Sequence, residues 1–272
     1  MKILIIGFGS LGKKIANKLK KRKDVNEIYF ITKSKKRVEK GFVQIGIKDV
    51  DRSFDYIILT FSGISDENRK RSFRLCKNTF DVRKVELKYN LKILKKYIPL
   101  LKKLSNKTKI IVLTNPVDEI VNYLYLNLPR KQIFGFGATL DKKRYSRILK
   151  KEVDCVGLHG NMIPLIKSEP EVYEKLYKKI DQKLLKYFQK KGLPNKFVAE
   201  EFGDYFKILN GKRKRILNTS YYLNKPFYGI SKIALSLPFI IENGRIIGIK
   251  KIKLNDYEEK RFLADVERLK KN

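Results

Sequence analysis

The first half of the chain alternates two periods. Short runs of β-branched and aromatic residues at 2–6, 27–31, 42–45, 56–60, 109–113 and 132–136 read as strands. Between them, apolar residues recur every three or four positions. In 11–21 these are Leu11, Ile15 and Leu19; in 85–104 they are Leu87, Leu91, Leu94, Ile98 and Leu101. At 3.6 residues per turn each set falls on one face, so both stretches read as amphipathic helices. Further helices are expected from Val117 and over 141–150. Strands alternating with helices of this length indicate βαβ units and a parallel sheet.

The second half has a different rhythm. Two long helical patterns cover 170–191 and 197–209, and strand-like runs follow at 216–223, 233–241 and 246–252. Gly244, in Glu242-Asn243-Gly244, signals a hairpin turn between the last two runs. A charged helix over 256–271 closes the chain. This change of pattern places a domain boundary near 138, giving units 1–138 and 139–272 with a cleft between them.

Composition narrows the class. The 272 residues, 43% of them hydrophobic, can bury a sizeable core. No apolar run approaches the roughly 18 residues of a membrane span, and the apolar start at Met1–Gly7 is too short for a signal peptide, so a cytosolic protein is expected. Two distant cysteines, Cys76 and Cys155, and one histidine make a poor metal site, and none is expected. The net charge of +35 attracts anions, but its lysines are spread along the whole chain without an aromatic–basic motif. Nucleic acid is therefore not the expected partner.

Gly7-Phe8-Gly9-Ser10-Leu11-Gly12 follows the first strand and opens the first helix. Its G-x-G-x-x-G spacing permits a tight turn and close approach of a pyrophosphate, and the helix N-terminus offers free N–H groups. Gly7, Gly9, Ser10, Leu11 and Gly12 are thus expected to bind a dinucleotide. The second strand ends in Thr32-Lys33-Ser34-Lys35-Lys36-Arg37, with no acid to hold ribose hydroxyls. Hydroxyls and cations suit a 2′-phosphate, so NADP is expected ahead of NAD.

Four further segments occur in order: Thr114-Asn115-Pro116-Val117-Asp118, Leu140-Asp141-Lys142-Lys143-Arg144, Gly157-Leu158-His159-Gly160-Asn161 and Tyr228-Gly229-Ile230, the last followed by Leu237-Pro238 and Asn243-Gly244. Together with the glycine turn they resemble the lactate/malate dehydrogenase family along essentially the whole chain. The resemblance implies an α/β fold: an N-terminal Rossmann-type parallel sheet with a C-terminal α+β substrate domain. It implies an NAD(P)-dependent oxidoreductase acting on a 2-hydroxy or 2-keto acid. The chemistry needs these residue types. His159, the sole histidine, suits proton transfer near neutral pH. Asp141 would hold the imidazole's other nitrogen, and Arg144, three residues on along one helix face, would bind the substrate carboxylate through a planar fork. Asn115 would orient substrate and cofactor from the end of a strand, and Ser62, Gly63 and Asn90 are further cofactor positions implied by the resemblance.

The family also carries an arginine on a mobile loop that polarises the keto oxygen, seven residues before a helical asparagine that a proline follows nine later. Asn90 with Pro99 selects Arg83; Arg71, seven before Asn78 and close to Arg74, is the alternative. Cations in that loop, Lys77 among them, favour malate/oxaloacetate over lactate, because a second carboxylate needs a positive partner. The chain departs from the family in several places. The 32–41 segment is short, which bears on the family's dimer or tetramer. Leu158, Asn161 and Met162 replace an acid, an acid and a small polar residue around the histidine. Lys191-Gly192-Leu193-Pro194 resembles K-G-x-T with a proline in the last place.

Overall fold

The computed structural model describes residues 1–33, 40–51, 53–65, 67–68, 71–72, 76, 79–129, 132–191 and 195–270. The first half holds β1 (Lys2–Ile6), α1 (Ser10–Lys20), β2 (Glu27–Ile31), β3 (Val43–Gln44), β4 (Tyr56–Leu59), α2 (Thr79–Lys103), β5 (Lys109–Val112), α3 (Val117–Asn127) and β6 (Gln132–Gly135). The second half holds α4 (Ala138–Leu149), β7 (Cys155–Val156), β8 (Ile163–Pro164), α5 (Pro170–Lys191), α6 (Asn195–Leu209), β9 (Arg215–Tyr222), β10 (Ala234–Glu242), β11 (Arg245–Ile249) and α7 (Asp256–Lys270).

Six parallel strands lie in the order β3-β2-β1-β4-β5-β6, the doubly wound dinucleotide-binding arrangement. Their interior residues, such as Ile3–Ile6 and Tyr56–Leu59, are buried on both faces, which is why these strands read as continuous apolar runs rather than alternating ones. One face packs on α1 and α6 around Ile15, Leu19, Phe202 and Phe206; the other packs on α2 and α3 around Leu94, Leu101, Ile120 and Leu124.

The antiparallel strands of the second half join this same sheet. β9 meets β6 at Gly135 and Ser220, with Thr219 Oγ1 donating to the Gly135 carbonyl at 2.9 Å. β10 and β11 follow, so that among the described residues the sheet has nine strands. Position 138, where the sequence pattern changes, is the first residue of α4, and one sheet is built from strands on both sides of it.

The short β7–β8 hairpin was not foreseen. It pairs Cys155 with Pro164 and Val156 with Ile163, and the loop between its strands carries His159. A second difference concerns α2, expected from 85. It begins at Thr79, so Arg83 sits in a helical turn rather than on a loop. Val82, buried against Cys76 and Leu184, and the Arg83–Glu86 ion pair one turn apart account for the extra turns.

Candidate active site

The parallel strands all point their C-terminal ends at one edge, where ligands bind in such sheets. At that edge the β1–α1 turn carries Gly7 at φ +104°, a backbone state that L side chains rarely adopt. A Cβ there would collide with the Phe61 backbone. Gly9 differs: among the described residues nothing lies within 4 Å of where its Cβ would be. Ser10 and Leu11 open α1, whose first turn has no acidic residue and no side-chain cap, and Gly12 is buried against the Gly7 carbonyl. An anion thus meets open space, unblocked N–H groups and the positive end of the helix dipole.

Beyond the end of β2, a cavity of about 580 Å³ is lined by Thr32, Lys33, Gln44, Ile47 and Tyr97. It has the size and place for the adenosine end of a dinucleotide. Ser34–Arg37, expected beside it, lie outside the described residues. Ser62 and Gly63 follow β4. The Gly63 N–H donates to Asn90 Oδ1 at 2.6 Å, and Asn90 Nδ2 donates to the Asn115 carbonyl at 2.5 Å. Asn90 therefore ties the loops after β4 and β5 together. Asn115 Oδ1 is buried with no hydrogen-bond partner among the described residues, an acceptor left for a ligand. Glycine turn, cavity and orphaned acceptor together fit a dinucleotide.

The His159 cluster is built differently. Asp141 stands on the first turn of α4, with His159 Nδ1 at 2.7 Å from Oδ2 and the Gly160 N–H donating to the same oxygen at 2.8 Å. Arg144 donates to Asp141 Oδ1 at 2.5 Å. Burial pushes the Asp141 carboxyl up, but the charges of His159 and Arg144 and the bonds from the ring and Gly160 outweigh it and leave it at about 2. Asp141 is therefore ionised at neutral pH, and Nδ1 carries the proton it shares with Asp141. That leaves Nε2 as the ring nitrogen not engaged by Asp141. Gly137 lets the ring lie flat on the start of α4, since a Cβ there would collide with the imidazole.

The sequence reading assigned no role to two acids at the start of α3, Asp118 and Glu119. Asp118 accepts the His159 backbone N–H at 2.6 Å and the Ser236 hydroxyl at 2.8 Å. Burial raises the Asp118 carboxyl against those bonds. Its neighbour Glu119 is lifted to about 7 by burial and by Asp118, with Arg83 pulling it back. Asp118 closes the Thr114–Asp118 motif, and with Glu119 it forms a pair of acids at the start of an otherwise apolar helix.

Arg83 pairs with Glu86 at 2.7 Å, and its Nε lies 3.7 Å from where a Gly160 Cβ would be, beside the histidine loop. Arg71 is exposed. Arg74, Lys77 and Asn78 lie outside the described residues, as do Gly192, Leu193 and Pro194. The structure thus brings Asp141, Arg144, His159 and Arg83 together, with Asn115 after β5 and Asn90 reaching it from α2.

No protein-family model matches the chain. Curated relatives do. An L-lactate dehydrogenase 2 of Listeria innocua is 23% identical over 313 aligned positions, covering 100% of this chain and 97% of the relative. An L-2-hydroxycarboxylate dehydrogenase (NAD(P)(+)) of Methanocaldococcus jannaschii is 29% identical over 211 positions, covering 68% and 67% of the two chains. Among solved structures, the malate dehydrogenase from Aeropyrum pernix shares the fold with a TM-score of 0.79 at 20% identity, covering 99% of this chain and 96% of its own. The chain is thus similar to lactate, malate and 2-hydroxycarboxylate dehydrogenases, to the first along its whole length.

Proposed function

We propose that the protein is an NAD(P)-dependent dehydrogenase that interconverts a 2-keto acid and its 2-hydroxy acid. One observation carries the reading: a single carboxylate, Asp141, holds the imidazole of His159 on one oxygen and the guanidinium of Arg144 on the other, beside a dinucleotide-binding edge. The nicotinamide, when bound, supplies the hydride in one direction and accepts it in the other.

The chain's own residues do the rest. His159 Nε2 gives a proton to the keto oxygen during reduction and takes it back during oxidation. Asp141, ionised at about 2, stabilises the protonated ring and fixes which nitrogen faces the substrate. Arg144 receives the substrate carboxylate, trading part of its hold on Asp141 for a forked contact. Arg83, next to Gly160, faces the substrate carbonyl and stabilises its developing negative charge. Gly7, Gly9 and the α1 N-terminus hold the pyrophosphate, while Asn115 and Asn90 set the nicotinamide end.

Two finer choices belong to the same reading. NADP is the preferred cofactor, supported by Thr32 and Lys33 in the cavity at the end of β2 and by the absence of an acid there. Malate/oxaloacetate is the preferred substrate pair. Beside Gly160 a cavity of about 460 Å³ is lined by Arg261, Lys175 and Lys178 against Glu174 and Asp181, an excess of cations suited to a second carboxylate. Lactate/pyruvate is the second reading, favoured by the end-to-end similarity to an L-lactate dehydrogenase. A cytosolic homo-oligomer completes the picture.

The test is oxidation of NADPH and NADH, followed by absorbance, with oxaloacetate, pyruvate and bulkier 2-keto acids, and with His159→Asn as control. Turnover that the substitution removes is the expected result. A folded protein that binds the dinucleotide yet turns over none of these acids would overturn the reading.

A further inference from the structure

The loop that carries His159 is pinned at several points. Gly157 exchanges backbone hydrogen bonds with Ser236 at 3.0 and 2.9 Å, His159 N–H is held by Asp118, and Gly160 N–H by Asp141. The last fastening comes from a different part of the chain. Asn161 Nδ2 donates to both carboxylate oxygens of Asp265 on α7, at 2.9 and 3.1 Å. Asn161 Oδ1 accepts from Arg261, one helical turn earlier, at 3.3 Å. The Asp265 carboxylate also lies 3.6 Å from where a Cβ on Gly157 would be, so it reaches both ends of the loop.

The helix that supplies these groups is itself firmly seated. Phe262, Val266 and Leu269 are buried in a core shared with Tyr173 and β10. Glu258, fully buried, accepts from the Tyr173 hydroxyl at 2.5 Å and from the backbone of Asn255 at 2.9 Å. The Arg261 guanidinium stacks on Tyr177 at 3.8 Å. A side chain gripped by α7 therefore takes its place from a rigid support.

A primary amide is a neutral side chain whose two N–H donors can meet both oxygens of a carboxylate while its carbonyl accepts from a guanidinium. An acid at 161, the residue type the family carries there, would set two carboxylates at hydrogen-bond distance, and like charges so close do not both ionise readily. Asn161 thus matches Asp265 in a way that an acid could not.

We infer that Asn161 and Asp265 are a matched pair of positioning residues, through which α7 sets the pose of the His159 imidazole. The inference rests on the dehydrogenase reading for its catalytic consequence and on geometry alone for its structural one. Asp265 faces Arg261 and Arg268 on its own helix, Asn161 on the loop and Asp118 on α3. Burial holds its carboxyl up to about 6, so it is ionised at pH values well above that.

Because the chain has one histidine, its imidazole gives a single, self-assigned set of ring NMR signals. Those signals are followed with pH in the wild type, Asn161→Asp, Asp265→Asn and the double variant, alongside kcat and dinucleotide KM at mildly alkaline pH. Asn161→Asp is expected to displace the signals and their titration midpoint and to lower kcat by about ten- to a hundredfold, with little change in dinucleotide KM. The double variant, which restores one acid and one amide, is expected to return both toward wild type. Signals and kcat unchanged in Asn161→Asp would overturn the inference. So would a double variant as displaced as Asn161→Asp, since that is the effect of a nearby charge alone. Should Asn161→Asp not fold, Asp265→Ala serves: undisturbed imidazole signals there would overturn it as well. The NMR readout holds whichever acid the enzyme turns over, so a failure of the substrate reading leaves it intact.

Discussion

The glycine turn at the end of β1 and the His159 cluster lie at one edge of one sheet, but they are made of different materials. The turn is backbone: Gly7 in a conformation side chains avoid, Gly9 facing open space, and the bare N–H groups of α1. The cluster is a network of buried side-chain charges, with Asp141, His159, Arg144 and Asp118 satisfying one another across 41 residues of sequence. A backbone site is specified by what is missing, Cβ atoms and capping groups, and tolerates any nearby side chain that stays out of the way. A charge network is specified by partners, so each member's removal strands another.

The sharpest way to separate the two is His159→Asn. Removing the proposed proton-transfer group should lower kcat by roughly 10²–10⁴-fold while dinucleotide affinity, measured by fluorescence titration, changes little. A comparable loss of affinity would mean the two regions are one unit. Asp141→Asn comes next. It leaves Arg144 and His159 without their shared carboxylate, and loss of a buried partner costs about 3–5 kcal/mol in denaturant unfolding. Its pH dependence has a definite sign. The folded-state value of about 2 lies below the ordinary carboxylate value, so the contribution is present above pH ~4 and is lost as pH falls toward 2. Unfolding curves of the Asn variant should lack that share of acid sensitivity.

Gly7→Ala probes the backbone half. Strain at φ +104° and the collision with Phe61 should cost about 1–3 kcal/mol of stability and weaken dinucleotide binding, without altering how kcat responds to pH. An altered pH response would couple turn and cluster. The smallest effect expected is in Lys33→Asp, which should shift the NADPH/NADH ratio of kcat/KM by roughly tenfold toward NADH, the size of one charge-assisted hydrogen bond. A ratio that does not move would remove Lys33 from cofactor choice.

The backbone half was the more legible in sequence. A G-x-G-x-x-G between a five-residue apolar strand and an amphipathic helix is local, and β1 and β2 lie where the apolar runs put them. That Asp141 and Arg144 share one helix face was legible for the same reason, since they stand three residues apart; their ion pair was not foreseen. The contact of Asp118 with His159 was not, because hydrophobic period says nothing about which distant loop a buried acid will meet. The β7–β8 hairpin was invisible because two residues per strand are too few to show alternation. Arg83's place in a helical turn was missed because Val82 buries itself on Leu184 of α5, about a hundred residues away. The joining of β9 to β6 was missed because strand patterns reveal faces, not neighbours.

That last junction has a consequence for how the chain is made. β6 ends at Gly135 and its partner β9 begins at Arg215, 80 residues later. At about 5–20 residues per second, the parallel sheet emerges from the ribosome with one flank of β6 uncovered for roughly 4–16 s. An exposed strand flank invites pairing with another nascent chain, and chaperones that cover such flanks would act in this interval rather than after release.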